Sequence, residues 1–217
     1  MAKFVLEYNG TLEKVADGVF QYTFRYDHLN VNEYYFLSRG LYLPTSLENA
    51  ADKRQIDYLS GRYCVKKIYE YLGLDLPLPA IDEDKGPVWP KGYQGSISHT
   101  EGFATAVVSE VSDIVVGVDL ETVTERIKNL KKHICVDMAE FICLKKVILL
   151  SDEEILTIIF SAKESLFKAL YPKVNKFFGF KAARVVSSSE GNSIKIILQE
   201  DLYPSSERMP RPKFGRG

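Results

Sequence analysis

The order in which periodicity changes along the chain narrows the fold more than any other feature. Residues 19–26 alternate aromatic and polar side chains (Phe20, Tyr22, Phe24), the two-residue period of a strand with one buried face. Residues 49–72 switch to helical spacing. Ile56, Leu59 and Tyr63 share an apolar stripe, basic residues take the other side, and Gly73 stands where a C-cap belongs. Residues 76–95 are rich in Pro and Gly and predict an ordered loop around Trp89, the only tryptophan. Three strand-like stretches then follow with no helix between them: 95–99, 103–110 and 114–122. In the last, Ile114, Val116, Val118 and Leu120 share one face. Residues 151–170 return to the helical period, with Ser151 and Glu154 spaced as a capping box. Residues 182–187 and 193–199 alternate again around a Glu190-Gly191-Asn192 turn. Strand, helix, loop, three strands, helix and two strands predict a mixed α+β fold, with a subdomain boundary near 109–113.

Composition excludes several classes. The 217 residues fit one large domain or two small packed ones, and 46% apolar content is enough for a sizeable core. Lys plus Arg (28) nearly balances Asp plus Glu (29), so no global field favours a nucleic-acid partner. Cys64, Cys135 and Cys143 are odd in number, lie in apolar surroundings and form no metal-ligand spacing; reduced core thiols are expected. No run approaches the ~20 apolar residues of a membrane helix, and the first ten residues lack the basic-then-apolar pattern of a signal peptide. A cytoplasmic protein is expected. Residues 203–217, rich in Pro, Gly, Ser and Arg, predict a flexible tail.

Four short patterns carry chemistry. In Gly117-Val118-Asp119-Leu120-Glu121, strand alternation would put both carboxylates on one face, about 7 Å apart. A hard divalent cation such as Mg2+ relieves their repulsion; a solvated acidic edge is the plainer alternative. In Lys163-Glu164-Ser165-Leu166-Phe167-Lys168, Glu164 and Lys168 share a helical face. They form either a surface ion pair or a third metal carboxylate beside a phosphate-binding ammonium. Gly95-Ser96-Ile97-Ser98-His99-Thr100 places Ser98 and His99 where a strand meets a turn. Adjacent strand residues point to opposite faces, so they are no nucleophile–base pair. Arg54 and Arg62 lie eight residues apart, on roughly one face of the long helix, with Lys85 following in the loop. Guanidinium forks suit phosphate, although a solvated basic face would look the same.

Read together and in order, these patterns resemble the Sfp-type 4′-phosphopantetheinyl transferases, in particular the enterobactin synthase component D branch. The resemblance runs over residues 51–179. It rests on Lys53-Arg54, Ser60-Gly61-Arg62-Tyr63-Cys64, Gly86-Pro87-Val88-Trp89-Pro90, Gly95-Ser96-Ile97-Ser98-His99, Gly117-Val118-Asp119-Leu120-Glu121 and Phe160-Ser161-Ala162-Lys163-Glu164-Ser165. It implies a fold of two similar α/β halves related by a pseudo-twofold axis, here 1–110 and 111–202, with coenzyme A between them. By the same resemblance Asp119, Glu121 and Glu164 would hold Mg2+. Arg54, Arg62, Lys85, Ser98, His99, Asp119, Lys163, Glu164 and Lys168 would line the coenzyme A pocket, with Glu164, Lys168 and His99 taking part in the reaction. The implied reaction moves phosphopantetheine from coenzyme A to a serine of an apo carrier protein and releases 3′,5′-ADP. Peptidyl or aryl carriers of a siderophore-type nonribosomal synthetase are the implied acceptors, acyl carrier protein stays open, and a monomer is implied.

A mixed apolar and basic docking patch for an acidic carrier is expected over 127–141, where Lys128, Lys131 and Lys132 cluster. Two competing readings remain at this level. A metal-dependent nuclease would need a close Glu-x-Lys, but Glu121 is followed by Thr122-Val123. A non-catalytic coenzyme A scaffold would not need all three carboxylates.

Overall fold

The computed structural model describes residues 5–7, 10–27, 31–82, 86–147, 149–187 and 193–202. The expected flexible tail and the 190–192 turn lie outside the described residues.

The N-terminal region is an antiparallel sheet covered by one long helix. β1 (Val5–Glu7), β2 (Gly10–Ala16) and β3 (Val19–Arg25) run as a meander. After a short helix α1 (Glu33–Leu37), started by the Asn32 side chain accepting from the Tyr35 N–H, comes α2 (Asp52–Leu72). A small ladder of β4 (Ala80–Ile81) and β5 (Pro87–Val88) leads to the hairpin of β6 (Gln94–Thr100) and β7 (Phe103–Ser109). β7 pairs with β3, so the sheet order is β1-β2-β3-β7-β6 and β6 is an edge strand.

The alternation in β3 turns Phe20, Tyr22 and Phe24 toward α2, where they meet Leu59, Tyr63, Cys64, Val65 and Ile68. Phe24 is 1% exposed, its ring 4.8 Å from that of Tyr63 and 5.6 Å from that of Tyr26. α2 ends as expected, with Gly73 in the left-handed region (φ 68°). Gly61 on α2 sets the distance to the sheet edge, because a Cβ there would stand 2.6 Å from Ile97 Cγ2.

The C-terminal region follows the same plan, a long helix on an antiparallel ladder, with more helix and less sheet among the described residues. α3 (Ile127–Ile134) and α4 (Met138–Val147) precede α5 (Asp152–Val174), and β8 (Ala183–Ser187) pairs with β9 (Ile194–Leu198). Ile134, Phe141, Leu144, Ile155, Leu156, Ile159 and Val185 form its core. The capping box of α5 is complete: Ser151 Oγ accepts from the Glu154 N–H at 3.2 Å and Glu154 Oε2 from the Ser151 N–H at 2.8 Å. The helix runs four residues past the expected end at 170. Pro172 omits the N–H that would bond the Lys168 carbonyl, yet the helix continues until Asn175 caps it at φ 47°.

Two sequence expectations are corrected. Residues 114–122 form no strand; the chain is extended there but pairs with no ladder. The reason is that side chains of β6 and α5 take its backbone groups, as described below. Cys64 and Cys135 are buried thiols, but Cys143 is exposed on α4, since Phe141 and Leu144 take the inward face; none of the three is in a disulfide. Among the described residues no helix is long and apolar enough to cross a membrane.

Truncating Phe24 leaves a cavity no neighbour can fill without breaking the aromatic cluster. Phe24→Ala is expected to cost about 3–5 kcal/mol of stability. Urea unfolding followed by Trp89, which packs against this same core, measures it.

Candidate active site

β6 organises the site because its two faces serve different partners. Ser96, Ser98 and Thr100 point one way, Ile97 and His99 the other.

On the first face lies the extended segment, running parallel to β6 at a constant offset of 22 residues. Ser96 Oγ donates to the Val118 carbonyl at 3.5 Å, Ser98 Oγ accepts from the Leu120 N–H at 3.1 Å, and the Thr100 and Thr122 hydroxyls meet at 3.0 Å. From the other side Ser161 of α5 donates to the Asp119 carbonyl at 3.3 Å. Side-chain hydroxyls thus replace a strand ladder. Gly117 makes the approach possible: a Cβ would stand 1.9 Å from the Ser165 carbonyl oxygen and 2.9 Å from the Ala169 nitrogen.

Lys168 closes the junction. Its ammonium donates to Asp119 Oδ1 at 2.6 Å, to Ser98 Oγ at 3.0 Å and to the Val118 carbonyl at 3.2 Å, so all three protons are placed. Ser98 also donates to Asp119 Oδ1 at 3.1 Å. The Asp119 side chain is 5% exposed, and its second oxygen, Oδ2, is buried without a hydrogen-bond partner. An orphaned carboxylate oxygen of this kind is costly unless something cationic meets it. Partial desolvation, and after it the Asp119 charge, raises the carboxyl pKa of both Glu121 and Glu164 above the ordinary range. Three carboxylates therefore feel one another across a single ammonium. Glu121 itself is exposed and, with Asp119 and Leu120, lines an open groove of about 550 Å3; the strict alternation expected for this segment is not kept. Among the described residues no three His, Cys, Asp or Glu side chains stand close enough together to be read as a formed metal site. The donor chemistry nonetheless fits a hard cation: oxygen ligands only, one of them unsatisfied, and an excess of negative charge.

On the second face of β6, His99 turns toward α2. Its Nδ1 lies 3.6 Å from Asp57 Oδ2. Arg54 is exposed at the start of α2, and its charge acts on both His99 and Arg62. Arg62 is buried: Nε donates to the Pro79 carbonyl at 2.9 Å, Nη2 to the Ala80 carbonyl at 3.4 Å, and the guanidinium lies 4.4 Å from the Tyr58 ring centre. It fastens the loop after α2 as well as adding charge. Lys85 lies outside the described residues.

Of the sequence-predicted residues, Ser98, Asp119 and Lys168 are brought into direct contact, Glu121 and Glu164 join them electrostatically, and Arg54, Arg62 and His99 gather on the α2 side. Lys163 is a correction. Its ammonium is buried in an ion pair with Glu140 Oε1 at 2.9 Å and donates to the Ile134 carbonyl at 2.8 Å, inside the C-terminal core. Reaching a phosphate would leave the Glu140 carboxylate buried without its cation, so the geometry makes Lys163 a structural residue. Asp57, a further residue on the α2 side, is a buried acid on a helix whose neighbouring Lys53 and Arg54 are basic. Its one signal is the i, i+4 spacing from Lys53.

The α+β molecule thus holds acids on one side of the edge strand β6 and basic residues on the other. Comparison with known proteins supplies the family. Residues 43–109 match the 4′-phosphopantetheinyl transferase N-terminal domain and residues 115–209 the 4′-phosphopantetheinyl transferase superfamily. Enterobactin synthase component D of Salmonella typhimurium is 32% identical over 182 residues, covering 80% of this chain and 73% of that protein. Its counterpart in Escherichia coli O157:H7 is 36% identical over 155 residues, covering 68% and 69%. The 4′-phosphopantetheinyl transferase PptT of Mycobacterium tuberculosis is 29% identical over 142 residues, covering 64% and 60%. The chain belongs to the 4′-phosphopantetheinyl transferase superfamily, whose members act on coenzyme A and carrier proteins.

Lys163 and Lys168 of α5 should fail differently. Lys163→Met strands Glu140 and is expected to cost about 3–5 kcal/mol in chemical unfolding. Lys168→Met, which leaves Asp119 without its cation at a partly open site, should cost less in unfolding than Lys163→Met but lower turnover by at least tenfold, measured on the same preparations.

Proposed function

We propose that this transferase is magnesium-dependent and serves the peptidyl or aryl carrier domains of a siderophore-type synthetase, as a cytoplasmic monomer. The observation that carries the metal reading is the buried, unpartnered Oδ2 of Asp119 beside two carboxyls of raised pKa. Asp119, Glu121 and Glu164 would hold Mg2+, which when bound supplies Lewis acidity to the pyrophosphate. Residues 1–110 and 111–202 are proposed as the two halves that enclose coenzyme A. The carrier partner rests on the likeness to the enterobactin synthase components.

The remaining chemistry is positioning and charge. The carrier serine hydroxyl attacks the phosphorus bonded to pantetheine. An Ser–O–P bond forms, the P–O bond to 3′,5′-ADP breaks, and the serine proton passes to Glu164. Glu164 of α5, which feels the Asp119 charge, would act as the general base. Lys168, with Ser98, would offset charge on the pyrophosphate as the leaving group departs. Arg54, Arg62 and His99 would hold the 3′-phosphate end of that leaving group.

A docking surface over 127–141 is proposed with its basic side chains only lightly engaged. Lys128 pairs with Glu153, Lys131 lies over the Phe141 ring and Lys132 is exposed. Surface pairs of this kind contribute about 0–1 kcal/mol and exchange readily for an acidic partner.

Intact-mass spectrometry of an apo peptidyl carrier protein with enzyme, coenzyme A and Mg2+ tests the proposal. A gain of one phosphopantetheine group, abolished by EDTA and by Asp119→Ala, is expected. Modification that persists in EDTA with no other divalent ion would remove the metal. Charge reversal of Lys128, Lys131 and Lys132 together should raise KM for the carrier several-fold and leave kcat; an unchanged KM discards the patch.

A further inference from the structure

Asp57 is the most buried carboxylate on α2, with a side chain 5% exposed. It is held from three sides. The Tyr26 hydroxyl of β3 donates to Oδ1 at 3.0 Å, Lys53 Nζ sits 3.2 Å from Oδ2, and His99 Nδ1 of β6 lies 3.6 Å from the same Oδ2. Nothing in the phosphoryl-transfer scheme uses this acid. Removing a carboxylate from water carries a cost that a purely structural helix position would not require, so its placement against the imidazole calls for a reason.

We propose that Asp57 is a positioning residue for His99: it fixes the Nδ1 edge of the imidazole and stabilises the imidazolium that forms when the 3′-phosphate of coenzyme A binds at Nε2. The proposal rests on the reading of the α2 face as the coenzyme A 3′-phosphate site. The physical steps are short. With the Nδ1 edge directed at a carboxylate, the proton of the neutral ring resides there and Nε2 is left as an acceptor. An acceptor repels phosphate oxygen, so the ring must gain a proton to bind it. A 3′-phosphate monoester carries a charge of about −1.5 to −2 near neutrality. The pyrophosphate is a weaker candidate because it belongs with Asp119, on the opposite face of β6.

The charged groups around the ring set the balance. On α2, Asp57 favours the imidazolium, while Lys53 and Arg54 oppose it; on α5, Lys168 also opposes it; burial adds to the opposition. Tyr26 donates to Asp57 and bears on the ring through that carboxylate. In the free protein burial and the three cations outweigh Asp57 and hold the imidazole below its ordinary pKa. An incoming dianion reverses the sign. The pKa of the complex then exceeds that of the free protein, a proton is taken up on binding, and affinity falls as pH rises through the interval between the two.

The test combines calorimetry of coenzyme A binding in two buffers of different ionisation enthalpy with an NMR titration of the His99 ring, assigned against His99→Gln. The wild type should take up a proton with coenzyme A and not with 3′-dephospho-coenzyme A. Asp57→Asn should shift the His99 titration to lower pH, remove the linked proton and weaken coenzyme A binding about tenfold, leaving dephospho-coenzyme A unaffected. Lys53→Met should shift the same titration to higher pH. Opposite shifts from two neighbours on one helix turn are what a structural role would not produce, and Lys53→Met keeps the test alive if Asp57→Asn fails to fold. An unchanged His99 titration and unchanged proton uptake in folded Asp57→Asn overturn the role of Asp57. Equal binding of coenzyme A and its 3′-dephospho form by the wild type overturns instead the assignment of the 3′-phosphate to this face.

Discussion

Lys168 donates each of its ammonium protons to a different group, and two of those groups belong to the extended segment around Asp119. That one side chain ties α5 to β6 and to a stretch of chain with no secondary structure of its own. A charge-assisted hydrogen bond contributes about 1.5–3 kcal/mol, which is enough to hold an unpaired segment where a ladder would otherwise be needed. The same bond leaves a charge imbalance. One ammonium faces Asp119, Glu121 and Glu164, and one oxygen of Asp119 has no partner. The junction is mechanically complete and electrostatically incomplete, which is the basis of the proposed cation site.

β6 also explains how opposite charges coexist a few ångströms apart without collapsing onto each other. A strand sends successive side chains to opposite faces. Ser98 therefore belongs to the acids and His99, its neighbour, to the bases of α2. The strand backbone stands between the carboxylates around Asp119 and the basic residues Arg54 and Arg62 of α2. Gly61 and Gly117 set the thickness of this sandwich, since any side chain at either position would push α2 off Ile97 or the extended segment off α5.

Much of the fold was legible because it depends on local rules. Phe20, Tyr22 and Phe24 gave β3 its period and its buried face, Ser151 and Glu154 marked the start of α5, and Gly73 marked the end of α2. Each of these signals is contained within a few residues. Residues 114–122 alternate without forming a strand because alternation reports which faces differ and not what lies opposite the backbone. There the partners are Ser96, Ser98, Ser161 and Lys168, between 22 and 50 residues away in sequence. Among the candidate site residues, Ser98, Asp119 and Lys168 were each nominated from a different motif and stand within hydrogen-bond distance. Asp57 was invisible because a buried acid and a solvated one look alike on a helix whose neighbours are Lys53 and Arg54.

Lys163 and Lys168 show why a motif is not yet a site. They are five residues apart on α5, which at 3.6 residues per turn separates them by about 140° around the axis. One direction leads into the core of α3 and α4, where Glu140 accepts from the Val136 and Val185 N–H groups at 2.6 Å each and pairs with Lys163. The other leads to β6. Glu164 lies between the two, so its direction is fixed by what its neighbour buries. The Lys-Glu-x3-Lys pattern thus joins an anchor, an acid and a cation in one helical run: burial of the first lysine sets the rotation of the helix, and that rotation places the acid and the second lysine toward the Asp119 cluster.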